Sequence, residues 1–202
     1  DSTLTLGCLV SGYWSAMMAN GCVSLYPAQV SCYDLLSESR SWFDPALLQH
    51  DFVHVVANET LEGLSLPHPA CSHQALIADI TSDIGFRDIP VDRYGMLYGG
   101  LQKLMGVSGL SVCVVSQDLL ARCSDNVPFM QGYKEVARHD SMQGTPNVFA
   151  WLSLGVMLGW MREQGGVALL AQRHAERAKQ LRACLAHLPG LQYLAPHALL
   201  SH

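Results

Sequence analysis

The chain has 202 residues, of which half are hydrophobic and only 14% are charged, and its formal net charge is −5. This composition predicts one or two folded domains with a large core and excludes an intrinsically disordered protein. No run of lysine and arginine occurs, so neither nucleic acid nor a membrane surface is expected as a partner, and the most apolar run, 148–161, is too short to cross a bilayer.

Four segments of the first half carry strand signals: 3–10, 28–33, 52–57 and 75–80. The last two are continuous β-rich runs, which are typical of strands buried on both faces of a sheet. After the first strand, a short helix is predicted over 16–20, with Ser15 as its N-cap and Gly21 beyond its end. Trp14 lies between these elements, where its ring can stack on a planar ligand or simply pack in the core.

Polar residues follow the two buried strands. Asn58-Glu59-Thr60 comes after the strand at 52–57, and Thr81-Ser82-Asp83 comes after the strand at 75–80. The carboxyl ends of strands are where α/β sheets bind ligands, although ordinary turns have the same composition. Asp79 is embedded in an apolar run, and a buried carboxylate needs a partner. That partner is either a backbone amide or arginine, or a cationic nitrogen of a ligand.

A glycine-rich turn is the most distinctive stretch of the sequence. A strand that includes Met96 breaks at Gly99-Gly100, Gln102-Lys103 follows, and a second apolar strand covers 110–116. The short connection predicts an antiparallel hairpin, whereas the longer connection before Met96 allows a parallel crossover, so the sheet is expected to be mixed. Lys103 stands among apolar residues that favour its neutral, nucleophilic form, and the alternative is an ordinary loop lysine in water.

The second half is predicted to be mainly helical. A helix begins near Gln117, a polar loop covers 132–142, and Thr145-Pro146 opens an apolar helix that ends near Arg162 and is expected to be buried. An amphipathic helix over 167–188 follows. Seven cysteines without a CxxC pair predict buried free thiols in a reducing cytoplasm, and the sequence contains no zinc-type spacing, GxGxxG, Walker loop or GxSxG elbow.

The amine, the buried-type carboxylate, the aromatic ring and the hydroxyls at strand ends together match what pyridoxal phosphate requires. A lysine binds the aldehyde of that cofactor covalently, and an acidic residue keeps its pyridine nitrogen protonated. Lys103 and Asp79 are the candidates for these two roles, and Trp14 is the candidate for stacking on the ring.

Six segments, in this order, make the chain resemble the phosphoserine aminotransferases, a family of class V, fold type I pyridoxal-phosphate enzymes. They are Ser11-Gly12-Tyr13-Trp14-Ser15, Asn58-Glu59-Thr60-Leu61-Glu62-Gly63, Ala78-Asp79-Ile80-Thr81-Ser82, Tyr98-Gly99-Gly100-Leu101-Gln102-Lys103, Asp140-Ser141-Met142-Gln143-Gly144-Thr145-Pro146 and Trp160-Met161-Arg162-Glu163-Gln164-Gly165-Gly166. The resemblance implies an α/β fold, with a mixed, mostly parallel sheet flanked by helices.

The resemblance also implies a role for each matching residue. Lys103 would be the Schiff-base lysine and Asp79 the partner of the pyridine nitrogen. Trp14 would stack on the ring, Thr60 would bond the ring oxygen, Gln102 would contact the phosphate, and the match of Ser82 to a residue near the phosphate is looser. Thr145 would reach the cofactor phosphate of the partner subunit, because the family forms homodimers with shared sites.

The sequence departs from the family in several places. Gly144 stands where the family usually has Asn, and in the glycine turn Leu104, Val107 and Ser108 replace Asn, Pro and Ala. The family's N-terminal phosphate loop and C-terminal small domain, which carry His-Arg pairs for the substrate, have no counterpart in these residues. The resemblance therefore implies a partial large domain over 1–190 and the start of a linker over 191–202.

The expected function is transfer of an amino group between phosphoserine and 2-oxoglutarate, in serine and possibly pyridoxine biosynthesis, by a cytoplasmic homodimer. Three alternatives stay open. One is another class V enzyme, such as a serine–glyoxylate aminotransferase, and a second is a cysteine desulfurase, although no mobile catalytic cysteine is evident. The third is an α/β fragment that binds cofactor weakly or not at all.

Overall fold

A computed structural model describes residues 3–36, 46–70 and 72–191. Its centre is a six-stranded sheet formed by β1 (Leu6–Val10), β2 (Val30–Asp34), β3 (Phe52–Val56), β6 (His73–Asp79), β7 (Tyr94–Gly100) and β8 (Ser111–Val115). Two short strands, β4 (Asn58–Glu59) and β5 (Leu64–Ser65), form a separate antiparallel pair. Of the predicted linker at 191–202, residues 192–202 lie outside the described residues, as does Cys71.

The order of strands across the sheet is β2-β1-β3-β6-β7-β8. All neighbouring pairs are parallel except β7 and β8, which form the antiparallel hairpin. The prediction of a mixed, mostly parallel sheet is therefore confirmed. Val56, Asp79 and Tyr98 are register partners on β3, β6 and β7, so these three strands end at the same edge.

Five α-helices accompany the sheet in the described residues: α1 (Tyr13–Leu25), α2 (Gln117–Arg122), α3 (Tyr133–Arg138), α4 (Val148–Glu163) and α5 (Gly166–Leu185). Short 3-10 helices cover Leu47–Gln49, Val91–Arg93 and Phe129–Gln131. Two boundaries were wrongly predicted at α1, because Ser15 lies inside its first turn and Gly21 lies within the helix. The predicted polar loop at 132–142 contains α3.

Helix α4 differs from its prediction in two respects. Its N-cap is Asn147, whose side chain accepts a hydrogen bond from Ala150 N at 3.1 Å, and not Thr145. Only Ala150 and Met161 of this helix are buried, while Val156 is 75% exposed. The predicted burial is therefore wrong, because the helix is apolar around its whole circumference but packs on the described residues along one side.

The pair Gly99-Gly100 does not break the strand, contrary to the prediction. Strand β7 continues through both residues, and positive φ angles occur later in the turn, at Gly106 and Gly109. Gly99 is required for space, since a Cβ atom there would lie 3.0 Å from the backbone nitrogen of Thr81. The glycine thus lets the ends of β6 and β7 approach closely.

The main core lies around the central strands, and includes Leu9, Val53, Val55, Leu76 and Leu97. A second cluster joins the β7–β8 turn to the last two helices through Leu101, Met105, Met161 and Leu170. Among the described cysteines, Cys8 is buried, whereas Cys32, Cys113 and Cys184 are exposed, so the prediction of buried thiols is wrong for those three. No described helix combines the length and hydropathy needed to cross a membrane.

Candidate functional site

A cavity of about 270 Å³ opens at the carboxyl edge of the sheet. It is lined by Trp14, Val56, Asn58, Thr60, Asp79, Thr81, Ser82, Gln102 and Lys103. Five of the six residues predicted for the site thus meet in one pocket, together with the more loosely matched Ser82. The sixth, Thr145, is exposed on the loop before α4 and does not line this cavity.

The topology explains why the cavity forms at this point. Strand β1 has β2 on one side and β3 on the other, so the chain reverses its direction of progress across the sheet between β1 and β3. Connections leaving two such neighbouring strands diverge, which opens a crevice at their carboxyl ends. Trp14 follows β1 directly, and Thr60 and Asp79 come from the ends of the next two strands.

Trp14 forms the aromatic wall of the cavity. It lies in the first turn of α1, and its side chain is 40% exposed. The indole Nε1 donates a hydrogen bond to Thr60 Oγ1 at 3.1 Å, and the Tyr13 ring packs against the indole in a T-shaped arrangement with a centroid distance of 5.1 Å. The indole is therefore held at its polar end, with a face available to a planar ligand.

Asp79 supplies the carboxylate of the cavity. Its Oδ1 accepts a hydrogen bond from Thr81 N at 2.8 Å, which is the backbone-amide partner that sequence reasoning offered as one alternative. The described residues contribute no ion pair to Asp79. The bond from Thr81 orients the half-buried carboxylate toward the cavity, where it can accept a hydrogen bond from a cationic nitrogen.

Lys103 is the only cationic side chain that lines the cavity in the described part of the chain. Its Nζ lies 6.0 Å from the centroid of the Trp14 ring, which is within the range of a cation–π contact. Leu101 and Met105 are buried and anchor the turn, whereas Lys103 and Gln102 are exposed. The predicted apolar burial of the amine is therefore wrong, because Leu101 and Met105 pack into the second cluster and Leu104 is itself exposed.

Asn58 and Ser82 connect two of the strand ends. Asn58 Nδ2 donates to Ser82 Oγ at 2.9 Å, and Ser82 Oγ donates to the Asn58 carbonyl oxygen at 2.8 Å. Sequence reasoning noted the segments that hold Asn58 and Thr81 but assigned neither residue to the site. Their position directly after buried strands is the signal that identifies them.

A buried polar pair lies on the strands that carry the site. His54 is 4% exposed, and its Nε2 lies 2.8 Å from the hydroxyl of Tyr98. Burial lowers the pKa of His54 to about 3. Burial, with a smaller contribution from the Asp79 carboxylate, raises the pKa of Tyr98. Both side chains are therefore neutral at physiological pH, and sequence reasoning singled out neither of them.

The comparisons with known proteins agree with this geometry. The family model for class-V aminotransferases matches residues 45–201. The chain belongs to the class-V aminotransferase family. It is 42% identical over 131 residues to a phosphoserine aminotransferase from Pseudomonas fluorescens (strain SBW25), an alignment covering 64% of this chain and 36% of that protein.

Two further members match nearly the whole chain. A phosphoserine aminotransferase from Shewanella sp. (strain MR-7) is 33% identical over 186 residues, covering 88% of this chain and 51% of that protein. A crystal structure that records radiation damage to the Schiff base of a phosphoserine aminotransferase superposes with a TM-score of 0.81 and 27% identity, covering 98% of this chain and 56% of that one. The chain thus spans about half the length of this relative and this structure.

Membership of the class-V aminotransferases implies pyridoxal phosphate as a cofactor. The cavity contains the donor set that this group needs: one amine, one carboxylate with a fixed oxygen, one indole face, and several hydroxyl and amide groups. The volume of about 270 Å³ is close to the lower end, roughly 300 Å³, of small-molecule sites. The residues present therefore fit the cofactor. No cluster of three or more metal-ligating side chains occurs among the described residues.

Proposed function

We propose that this chain carries the cofactor site of a pyridoxal-phosphate-dependent phosphoserine aminotransferase, which exchanges an amino group between phosphoserine and 2-oxoglutarate. The observation that carries the proposal is the meeting of Lys103, Asp79, Trp14, Thr60 and Gln102 in one cavity. The similarity to phosphoserine aminotransferases supports the substrate class. We also propose a place in serine biosynthesis, with pyridoxine biosynthesis as a second pathway.

The cofactor, when bound, supplies an aldehyde that attaches to an amine and a pyridinium ring that accepts electrons from an amino-acid carbanion. Lys103 provides the amine, and its exposed position lets it reach an incoming aldehyde. Asp79 would hold a proton on the pyridine nitrogen, because its carboxylate is fixed by Thr81 N and lines the cavity. Trp14 would cover one face of the ring, and Thr60, which accepts the indole N–H, would also bond the ring oxygen.

Gln102 and Ser82 are the groups that we assign to the phosphate. Neither carries a charge, and Lys103 is the sole cation that lines the described cavity. A dianionic phosphate and a carboxylate are bound most tightly by multiple cationic donors. We therefore infer that the cationic groups for the phosphoserine substrate come from outside this cavity.

A second subunit is one source of such groups, and we propose a homodimer in the cytoplasm. Thr145 is exposed and lies outside its own chain's cavity, which supports a role in the partner's site. Mixing Lys103→Ala and Thr145→Ala subunits tests this arrangement. A mixed dimer contains one site with both residues intact, so mixing should restore cofactor uptake, whereas two independent sites would gain nothing.

The assignment of Lys103 is tested by borohydride reduction after incubation with pyridoxal phosphate, followed by peptide mapping. The chain has three lysines, and we expect the label on Lys103 and not on Lys134 or Lys179. Lys103→Ala should lose the visible absorbance of the bound cofactor while keeping the fold, because this exposed side chain contributes little packing. Lys179→Ala is the matched control. Labelling of Lys134 or Lys179 in the wild-type chain would refute the assignment.

A further inference from the structure

Glu59 is a buried carboxylate beside the cavity. Its side chain is 0% exposed, although it lies only one residue before Thr60. One oxygen, Oε2, accepts a hydrogen bond from Trp14 N at 3.0 Å, and the other, Oε1, accepts one from Ser15 N at 2.8 Å. None of the described basic residues forms an ion pair with it. Its charge is therefore balanced by two backbone N–H groups and by the positive end of α1.

Burying an ionised carboxylate costs several kcal/mol, and hydrogen bonds to the charged form offset that cost only with good geometry. The N–H groups of a first helical turn have no partners within the helix and meet this requirement. Because Glu59 contacts two consecutive amides, it fixes both the position and the direction of the backbone at Trp14. A single acceptor would leave the turn free to pivot.

The remaining amides at the start of α1 are also occupied. Tyr13 N donates to Glu62 Oε1 at 2.9 Å, and the Ser15 hydroxyl accepts from Ser11 N at 2.8 Å and from Gly12 N at 3.0 Å. This helix N-terminus is therefore closed by groups of the chain itself. These contacts leave none of the named N–H groups for an anion, and they hold the backbone on both sides of Trp14.

Glu59 and Thr60 act on the two ends of the same residue. Glu59 binds the Trp14 backbone, whereas Thr60 accepts from the indole Nε1. The two clamping residues are adjacent on the connection that follows β3, so the aromatic wall is attached to the strand end next to Asp79. The ring is thus located relative to the carboxylate and not merely packed.

We propose that Glu59 is a positioning residue for Trp14, and that its two hydrogen bonds set the indole at the place where it covers a planar ligand. The expected effect of Glu59 on the affinity for pyridoxal phosphate rests on the function proposed above. The effect on the orientation of Trp14 does not, because it follows from contacts within the chain.

The test compares Glu59→Gln with Glu62→Gln. Glutamine keeps one acceptor but places an NH2 donor against the second backbone N–H, so Glu59→Gln loses one of its two bonds. Glu62→Gln is the matched control, because Glu62 contacts Tyr13 N, one residue before Trp14. Amide hydrogen exchange at Trp14 and Ser15 is measured by NMR. The Trp14 indole signal is identified, among four tryptophans, by its loss in Trp14→Phe.

We expect Glu59→Gln to lose exchange protection at these amides and to shift the indole signal, whereas Glu62→Gln retains both. The affinity for pyridoxal phosphate, measured by fluorescence quenching, should fall about tenfold in Glu59→Gln. That fall should disappear in a Trp14→Phe background, since Glu59 acts through the ring. A purely structural role would weaken binding equally in both backgrounds.

Wild-type exchange protection and an unshifted indole signal in Glu59→Gln would overturn the proposal. If that variant does not fold, Glu59→Asp replaces it, because it keeps the charge but withdraws the carboxylate by one methylene group. Exchange protection at Trp14 and Ser15 and the position of the indole signal then decide whether Glu59 positions Trp14. If the wild-type chain takes up no pyridoxal phosphate, the proposed function fails. The exchange and indole measurements still decide the role of Glu59 in that case.

Discussion

Replacing Gly99 by alanine should destabilise the chain and weaken the cofactor site together. The new Cβ atom would lie 3.0 Å from Thr81 N, 3.1 Å from Thr81 Cα and 3.2 Å from Ile80 C. These are backbone atoms that cannot rotate away, so β7 and the segment at 80–81 must separate. Separation would also strain the hydrogen bond from Gly100 N to Thr81 Oγ1, which is 3.2 Å long.

The size of the effect follows from two opposing contributions. Overpacking of this kind costs about 1–3 kcal/mol. Removing a glycine from the unfolded chain returns about 0.4–1 kcal/mol. We therefore expect a net loss of about 1–2 kcal/mol in the free energy of unfolding, and weaker binding of pyridoxal phosphate because Asp79 and Ser82 flank the displaced segment.

Urea unfolding and a cofactor titration measure the two effects. Gly155→Ala is the matched control, since beyond its chain neighbours and its own helix backbone no described atom lies within 4 Å of the position of its Cβ, and the residue is on the exposed helix α4. That control should raise the free energy of unfolding by about 0.5–1 kcal/mol, because alanine is the better helix former. The reasoning is refuted if Gly99→Ala unfolds at the wild-type urea concentration and binds the cofactor equally well.

Three further outcomes are expected. Asp79→Asn should reduce transamination, assayed in the complete enzyme, far more than cofactor affinity, because an amide cannot hold the pyridine nitrogen protonated; unchanged turnover would make Asp79 structural. The pKa of His54 is about 3 in the folded chain against 6.5 in the unfolded chain. Below pH 6.5 the unfolded chain therefore binds a proton that the folded chain does not, and the free energy of unfolding falls by up to about 1.4 kcal/mol per pH unit between pH 6.5 and pH 3. Replacing His54 by asparagine should flatten that slope in urea titrations at several pH values, and an unchanged slope would assign it to other groups. Val156→Lys should reduce aggregation, measured by light scattering, with a change in stability within about 0.5 kcal/mol, and a larger loss would show that this face is covered.

Sequence reasoning identified the strands and most of the site because buried parallel strands carry a strong local signal. The continuous apolar runs around Val55 and Leu76 required burial on both faces, and polar residues directly after them had to lie at one edge of the sheet. The sequence pattern therefore made Asp79, Thr60 and Lys103 candidates for one site, while ordinary turns and a loop lysine in water stayed open as alternatives. The motif order that makes the chain resemble phosphoserine aminotransferases reinforced that expectation.

The tertiary structure alone decided how these groups are held. No local pattern shows that Glu59 reaches across 45 residues to the amide of Trp14, or that Gly99 is needed for space and not for a special backbone angle. The exposure of Lys103 and α4 was also beyond sequence reasoning, because hydrophobicity reports what a residue favours and not which neighbour covers it. Local periodicity depends on residues a few positions apart, whereas burial and hydrogen bonding at this site depend on how separate strands and helices are placed together.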